Sequence, residues 1–126
     1  MTKPLVYVAS PYTKGDPCIN THFQVRMFDK LMDSGLVIPY VPLWSHFQHT
    51  ASPRKYEDWI EYDNAIIPRL DACIRLAAVN AELNYEVWQS SGADNEVKLF
   101  QSLEKPVFFD LASLYQWARE FISVNG

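Results

Sequence analysis

Short β-branched and aromatic runs alternate in this chain with segments of helical spacing, and this alternation constrains the fold more than any single motif does. The strand-like runs cover residues 4–9, 36–41, 73–79 and 106–109. Apolar residues recur at helical spacing over residues 19–33, 53–66, 92–103 and 112–124. Strands that alternate with helices form a mostly parallel sheet with helices on both faces. We therefore predict an α/β protein, a Rossmann-like (flavodoxin-like) three-layer sandwich with four or five strands.

The length of 126 residues suits a single domain, and we predict one that covers residues 1–126. One run leaves its type open, because the alanines within residues 73–79 would also fit a helix. Gly35 directly follows the first helical segment and is its predicted C-cap.

Composition excludes several classes of function. With only four glycines, the chain spells neither GxGxxG nor GxxxxGK[ST], which excludes the standard dinucleotide and P-loop sites. The formal charge is −4 and no cluster of Lys and Arg exists. We expect no nucleic-acid polymer as partner, because contacts to a phosphate backbone need grouped cations. No apolar stretch approaches the roughly 20 residues of a membrane span, so we expect no membrane partner.

The two cysteines, Cys18 and Cys73, form no CxxC pair and are typical of reduced thiols. The first residues lack the charged and apolar regions of a secretory signal. We expect a cytoplasmic protein and assign it no cofactor.

A ligand crevice in such a sheet lies beyond the carboxyl ends of the strands. Residues 10–17, 43–52 and 80–96 follow predicted strands and are the places for a site. In the first of them, Tyr7, Ser10 and Tyr12 put two aromatic rings and a hydroxyl at the end of the first strand. The alternative is a core tyrosine followed by a turn.

The segment Ser90-Ser91-Gly92-Ala93-Asp94-Asn95-Glu96 opens a predicted helix. Gly92 allows close approach of a ligand to the backbone, and the free N–H groups of a helix N-terminus favour anions. The hydroxyl of Ser90 or Ser91 caps the helix or binds a ligand oxygen. Glu96 lies one turn in, where the helix dipole favours its ionised form. A carboxylate there can act as a nucleophile or stabilise an oxocarbenium-like cation; the alternative is a simple capping arrangement.

Asp63 lies at the boundary of a helix face whose apolar side is set by Trp59, Ile60 and Ile66. Partial burial there would raise the pKa of its carboxyl and let it donate a proton. The alternative is a solvated helix acid.

Residues 43–52 read as a polar loop that contains His46 and His49, with Ser52 as the cap of the next helix and Pro53 in its first turn. Two histidines three residues apart can share a metal when they lie on a helix. No third ligand is spaced near them, and the surroundings read as a loop. We therefore predict no metal site.

Five motifs, in order along residues 4–109, together resemble the nucleoside 2-deoxyribosyltransferase-like superfamily, and within it a small uncharacterised group of bacterial and phage proteins. They are Tyr7-Val8-Ala9-Ser10-Pro11-Tyr12, Trp59-x-x-x-Asp63, Leu70-Asp71-Ala72-Cys73, Trp88-x-Ser90-x-Gly92-x-x-x-Glu96 and Leu103-x-Lys105-Pro106-Val107.

The resemblance implies cleavage of the N-glycosidic bond of a nucleoside or nucleotide. By analogy Glu96 attacks C1′ of the sugar, Tyr7 orients that carboxylate, and Asp63 protonates the departing base. The substrate-binding residues implied are Ser10, Tyr12, Ser90, Ser91 and Gly92. Water as acceptor gives hydrolysis, whereas a second base gives transfer.

Ser90 occupies the position where deoxyribosyltransferases of the family tend to carry an aspartate that holds a free 5′-hydroxyl. A hydroxyl accepts a 5′-phosphate that a carboxylate would repel, so we predict hydrolysis of a nucleoside 5′-monophosphate. The alternatives are base exchange by a deoxyribosyltransferase and a non-catalytic nucleotide sensor. Lys14 is the basic residue nearest the first loop, and Arg54 and Lys55 lie too far along the chain to assign.

Members of the family complete their sites with residues of a second subunit. The resemblance therefore implies a homodimer or higher homo-oligomer. Among the apolar side chains of this short chain, we expect some of Phe23, Phe28, Tyr115 and Trp117 to lie in the interface.

Overall fold

The computed structural model describes residues 2–12, 16–76, 78–79, 85–86 and 91–125. Its strands are β1 (Leu5–Ala9), β2 (Ile38–Tyr40), β3 (Ala72–Arg75), β4 (Ala78–Val79), β5 (Tyr85–Glu86) and β6 (Val107–Phe108). Its α-helices are α1 (Pro17–Ser34), α2 (Ser45–Ala51), α3 (Tyr56–Ile66), α4 (Ser91–Ser102) and α5 (Leu111–Asn125). Short 3-10 helices cover Pro42–Trp44 and Ile67–Arg69.

The main sheet has four parallel strands in the order β2-β1-β3-β6. Helices cover both of its faces, which confirms the predicted α/β, Rossmann-like three-layer sandwich. Residues alternate between the faces along β1, as the period of a strand requires. Val6 and Val8 face a core formed with α1 and α5, whereas Tyr7 and Ala9 face a second core formed with α4. The sheet therefore directs the Tyr7 ring toward the helix that carries Glu96.

The prediction of one strand over residues 73–79 is wrong. β3 ends at Arg75, and the Leu76 N–H bonds to the Ala9 carbonyl at the end of β1. Ala78–Val79 instead pairs antiparallel with Tyr85–Glu86 in a separate small sheet. The chain thus leaves the main sheet at its carboxyl edge, and residues 78–79 and 85–86 form a short antiparallel β ribbon.

Both ends of α1 follow local sequence chemistry. Asp16 is the N-cap, and its carboxylate accepts the backbone N–H groups of Cys18 at 2.8 Å and Ile19 at 3.3 Å. Gly35 adopts a left-handed conformation with φ of 68° and bonds back to the Met32 carbonyl, which confirms it as the C-cap.

The prediction of a loop over residues 43–52 is wrong, and so is the prediction that Ser52 caps the next helix. This segment contains α2, and Ser52 is the C-cap of that helix rather than the N-cap of the next, its N–H bonding to the Gln48 carbonyl at 2.8 Å. Pro53 explains why α2 ends at Ser52, because a residue before proline avoids the helical region. Ser52 accordingly ends α2 in a non-helical conformation, and α3 begins four residues later, at Tyr56.

The aromatic side chains expected at a dimer interface are partly buried against the first core. Phe23 and Phe28 reach it from α1, and Tyr115 and Trp117 from α5. The homodimer stays a prediction. Among the helices of the described residues, none is both long and apolar enough to span a membrane.

Candidate active site

A cavity of about 580 Å³ opens at the carboxyl edge of the main sheet, between the ends of β1 and β2 and the helices α2, α3 and α4. Its walls bring together five residues that sequence reasoning selected, namely Ser10, Tyr12, Asp63, Gly92 and Glu96. Ser91 is the first residue of α4. Ser90 and Lys14, which were also considered, lie outside the described residues.

Glu96 lies in the second turn of α4, half-buried in the cavity wall. Burial raises the pKa of its carboxyl to about 8, and the charge of Asp63 acts in the same direction. Hydrogen bonding from Tyr7 and the charge of Arg75 lower the pKa but do not offset burial. The helix dipole favours the ionised form of Glu96, but its contribution of about 0.3–1 kcal/mol is smaller than the effect of burial on the pKa.

Tyr7 lies beneath the cavity floor with its side chain fully buried. Its ring packs against those of Tyr40 and Phe100, each with its centroid 5.6 Å away. The hydroxyl has no hydrogen-bond partner of standard geometry among the described residues. It is nevertheless close enough to Glu96 to favour the ionised carboxyl. Catalytic hydrogen bonds are often long before substrate binds and tighten later, so Tyr7 is placed to support Glu96 from below.

Asp63 lines the cavity from α3, together with Trp59 and Ile60 one turn earlier. The side chain is half-buried, and burial raises the pKa of its carboxyl to about 7. This confirms the prediction of a partly buried acid at the edge of the apolar face. The pKa values of both cavity carboxyls therefore lie near neutrality, and the two groups interact electrostatically with each other.

The cavity also contains two histidines, His46 and His49, which α2 turns toward it. His46 Nδ1 lies 2.5 Å from the Tyr12 hydroxyl oxygen. His49 Nδ1 accepts hydrogen bonds from the Trp59 indole N–H at 3.1 Å and from the Arg54 backbone N–H at 3.2 Å. Two donors on Nδ1 place the His49 ring proton on Nε2. No group of three metal-binding side chains exists among the described residues.

Arg54 lines the same cavity, so the statement that it lies too far along the chain to assign is wrong. Its guanidinium pairs with Asp58 at 3.2 Å and stays largely exposed. Two residues later, the Tyr56 hydroxyl lies 3.8 Å from the position that a Cβ on Gly92 would occupy. The start of α3 therefore faces the N-terminus of α4, and Arg54 lines the same cavity as Gly92.

Arg75 is a functional candidate that sequence reasoning missed. It ends β3 with only 4% of its surface exposed, and its guanidinium lies 3.4 Å from Asp94 in the first turn of α4. It also donates a hydrogen bond to the Leu76 carbonyl. This buried cation behind α4 lowers the pKa of Glu96, and its position inside an apolar run concealed it.

Comparisons with known proteins add no assignment: no family model and no curated protein sequence matches this chain. The fold alone does not identify the function, because proteins of one fold have many different activities. The chemistry of the cavity residues therefore carries the functional argument.

The raised pKa values predict that stability falls as pH rises. In the unfolded chain Glu96 and Asp63 titrate near their ordinary values of 4.5 and 3.8, whereas in the folded protein they titrate at about 8 and about 7. Between these pKa values the folded state binds more protons than the unfolded state does. Raising the pH through this interval therefore lowers the free energy of unfolding. We expect Glu96→Gln to melt at nearly the wild-type temperature at pH 5 and a few degrees higher at pH 8.

Thermal melts of the two proteins between pH 5 and pH 8 check this difference. Glu61→Gln is the matched control, because Glu61 is exposed on α3 and absent from the cavity wall. A stabilisation by Glu96→Gln that is equal at both pH values would contradict a buried, protonated Glu96.

Proposed function

We propose that this protein cleaves the N-glycosidic bond of a nucleoside 5′-monophosphate and releases the free base. The observation that carries the proposal is the pair Glu96 and Asp63. Both carboxyls line one cavity at the carboxyl edge of a parallel sheet, and burial raises both pKa values toward neutrality. Paired carboxyls, one nucleophilic and one acidic, are the working parts of retaining glycosidases.

The reaction proceeds in two balanced steps. Ionised Glu96 attacks C1′ of the sugar while the C1′–N bond breaks, and the proton of Asp63 passes to the departing nitrogen as it takes the bonding electron pair. Water then attacks C1′, its proton passes to the Asp63 carboxylate, and the ester bond to Glu96 breaks. Asp63 ends protonated and Glu96 ionised, so the site returns to its starting state.

The competent state carries one proton, and that proton lies on Asp63; because the pKa of Glu96 is the higher of the two, this is the less populated of the two one-proton states. Because the pKa of Glu96 is about 8 and that of Asp63 about 7, the two carboxyls titrate as a coupled pair. Tyr7 and Arg75 both lower the pKa of Glu96 and so favour the arrangement that attacks. Their positions, below and behind the carboxyl, leave its cavity side open to substrate.

The remaining walls suit the two ends of a nucleotide. Trp59 and Tyr12 supply aromatic surface on which a base can stack, next to the acid that would protonate it. At the other end, Gly92 lies in the first turn of α4, where the helix dipole favours an anion, and Arg54 and Tyr56 line the same cavity. Arg54 supplies the cation that a 5′-phosphate requires.

Arg54→Gln is expected to lower kcat/KM for a nucleoside 5′-monophosphate by on the order of tenfold and to leave that of the matching nucleoside almost unchanged. The reason is the loss of a charge-assisted contact to phosphate at a largely exposed site. Steady-state kinetics with both substrates measure the selectivity. Lys55→Gln is the control, since Lys55 is the adjacent exposed cation and does not line the cavity. An equal loss for both substrates would remove Arg54 from phosphate recognition.

The activity is tested by incubating the purified protein with ribo- and deoxynucleoside 5′-monophosphates and separating the products by liquid chromatography. Each reaction is run with and without an added free base. Free base together with a sugar phosphate indicates hydrolysis, and a new nucleotide that contains the added base indicates transfer. Nucleotides that are bound but unchanged after hours indicate a sensor, and the proposed hydrolysis is then wrong.

A further inference from the structure

The side chain of Gln24 joins the two strand ends that border the cavity. It is fully buried on α1. Its amide nitrogen donates to the Val8 carbonyl at 3.0 Å and to the Ser10 hydroxyl oxygen at 2.9 Å, and its amide oxygen accepts the Leu43 N–H at 2.8 Å. The backbone N–H of Leu43 can only donate, so the orientation of the amide is fixed. Both hydrogens of the amide nitrogen are thereby assigned.

This arrangement determines the direction of the Ser10 hydroxyl proton. Since Gln24 donates to the Ser10 oxygen, the proton of Ser10 has to point away from Gln24. Ser10 is only 8% exposed, and the surface that it does expose lines the cavity. Among the residues that the structure describes, the Ser10 hydroxyl donates no hydrogen bond, and the neighbouring Val8 carbonyl accepts from the Gln24 amide instead. A nearly buried hydroxyl donor of this kind costs free energy unless a ligand supplies an acceptor.

We infer that Gln24 is a positioning residue that makes Ser10 a dedicated hydrogen-bond donor to an oxygen of the sugar phosphate. The inference rests on the proposed function for the identity of the ligand. The Ser10 oxygen already accepts a hydrogen bond from the Gln24 amide, so the Ser10 hydroxyl is left to donate to the ligand. The site thereby favours ligands that present an oxygen acceptor at this point, because a fixed donor without an acceptor is penalised.

Ligand binding tests the inference without any bond cleavage. The full chain is titrated with ribose 5-phosphate and, separately, with inorganic phosphate, and nuclear magnetic resonance gives the Kd. Ser10→Ala is expected to weaken binding of ribose 5-phosphate about tenfold, the effect of one hydrogen bond. If Ser10→Ala weakens binding of inorganic phosphate by the same factor, the acceptor is a phosphate oxygen. If it leaves phosphate binding unchanged, the acceptor is a sugar oxygen. Either result supports the inference.

Changes at Gln24 separate positioning from structure. In Gln24→Glu the carboxylate can only accept, so the Ser10 proton turns away from the cavity toward it. In Gln24→Met, an apolar variant of similar length, the Ser10 proton can turn to the Val8 carbonyl. Each variant is expected to weaken binding of ribose 5-phosphate about tenfold, as Ser10→Ala does. Combining either change with Ser10→Ala should weaken binding no further, since the effects of residues in one hydrogen-bond network are not additive. Leu31→Ala, which empties buried space on the same helix away from the cavity, controls for lost stability.

The inference is overturned if wild-type protein does not bind ribose 5-phosphate, if Ser10→Ala binds it normally, or if the Gln24 variants bind normally. The inference is also overturned if the double variants lose affinity by the product of the two single losses, or if Leu31→Ala loses as much affinity as the Gln24 variants. Either result would leave Gln24 with a purely structural role. Failure of the proposed function is a different result, since it appears as uncleaved nucleotide whatever the affinity for ribose 5-phosphate.

Discussion

Glu96→Gln is expected to lower kcat for base release by about 10³- to 10⁵-fold, because an amide cannot form the ester to C1′ and removal of a nucleophile costs about this much. Glutamine retains the size and polarity of the carboxyl, and it matches the uncharged form that burial favours. The variant therefore keeps its fold and its substrate affinity. The loss should appear in kcat, with KM changed by no more than a few-fold.

The comparison needs a variant with the same chemical change at a neutral place. Glu61→Gln provides it, since Glu61 is exposed on α3 and does not line the cavity. Its kcat should equal that of the wild-type protein within a factor of two, with both followed by chromatography of the released base. If Glu96→Gln retains more than a tenth of wild-type kcat, Glu96 is not the nucleophile.

Asp63→Asn is expected to lower kcat by about 10²- to 10⁴-fold, the usual contribution of a general acid. Asparagine cannot give a proton to the departing base. With a 5-phosphoribosyl nitrophenol ether, whose leaving group departs without a proton, this variant should therefore form the Glu96 ester and release a first equivalent of nitrophenol at nearly the wild-type rate, while later turnover stays slow because Asp63 also accepts the proton of the attacking water. An equal loss of that first-step rate on both substrates would show that Asp63 does something other than protonate the base.

The pH profile gives the second half of that prediction. In the wild-type protein kcat/KM should rise as Glu96 ionises and fall as Asp63 loses its proton, with a maximum between pH 7 and pH 8. Asp63→Asn removes both the acid and the charge that raises the pKa of Glu96. Its profile should therefore lack the falling limb, and its rising limb should give the pKa of Glu96 alone, at a value below 8. A profile of unchanged shape contradicts the assigned roles.

Local patterns predicted the parts of the fold that local chemistry decides. β1 was recognisable because its apolar residues are contiguous, and α1 because its face repeats and Gly35 ends it. The failures have an equally physical cause. Ser52 looks like a helix N-cap by residue type, but Pro53 restricts its backbone and makes it the end of α2.

The candidate site was recovered in part for similar reasons. Glu96 and Ser10 lie in segments that follow predicted strands, whose ends a parallel sheet gathers at one edge, whereas Asp63 was selected at the boundary of the apolar face of a helix. Arg54 was missed because separation along the chain is not separation in space: α2 folds the chain back until the Arg54 N–H bonds to His49. The protonation of Glu96 depends on three-dimensional burial, which outweighs the helix dipole that the sequence reveals.

Two buried polar residues were beyond sequence reasoning altogether. Arg75 lies in an apolar strand and Gln24 on a helix that was identified by its apolar face alone. Hydrophobic patterning reports which residues are buried but not which buried groups find partners. Only the contacts of Arg75 with Asp94, and of Gln24 with Ser10 and Leu43, reveal that they support the cavity from behind.

The configuration of the product at C1′ tests the central claim most directly. The nucleotide that is cleaved fastest is treated with the protein in aqueous methanol, and proton nuclear magnetic resonance identifies the methyl glycoside before it equilibrates. Attack by Glu96 followed by attack of methanol inverts C1′ twice, so the β-methyl glycoside 5-phosphate is predicted. The α-methyl glycoside would show direct displacement without a Glu96 ester, and no glycoside or free base from any nucleotide would show that the cavity does not cleave this bond.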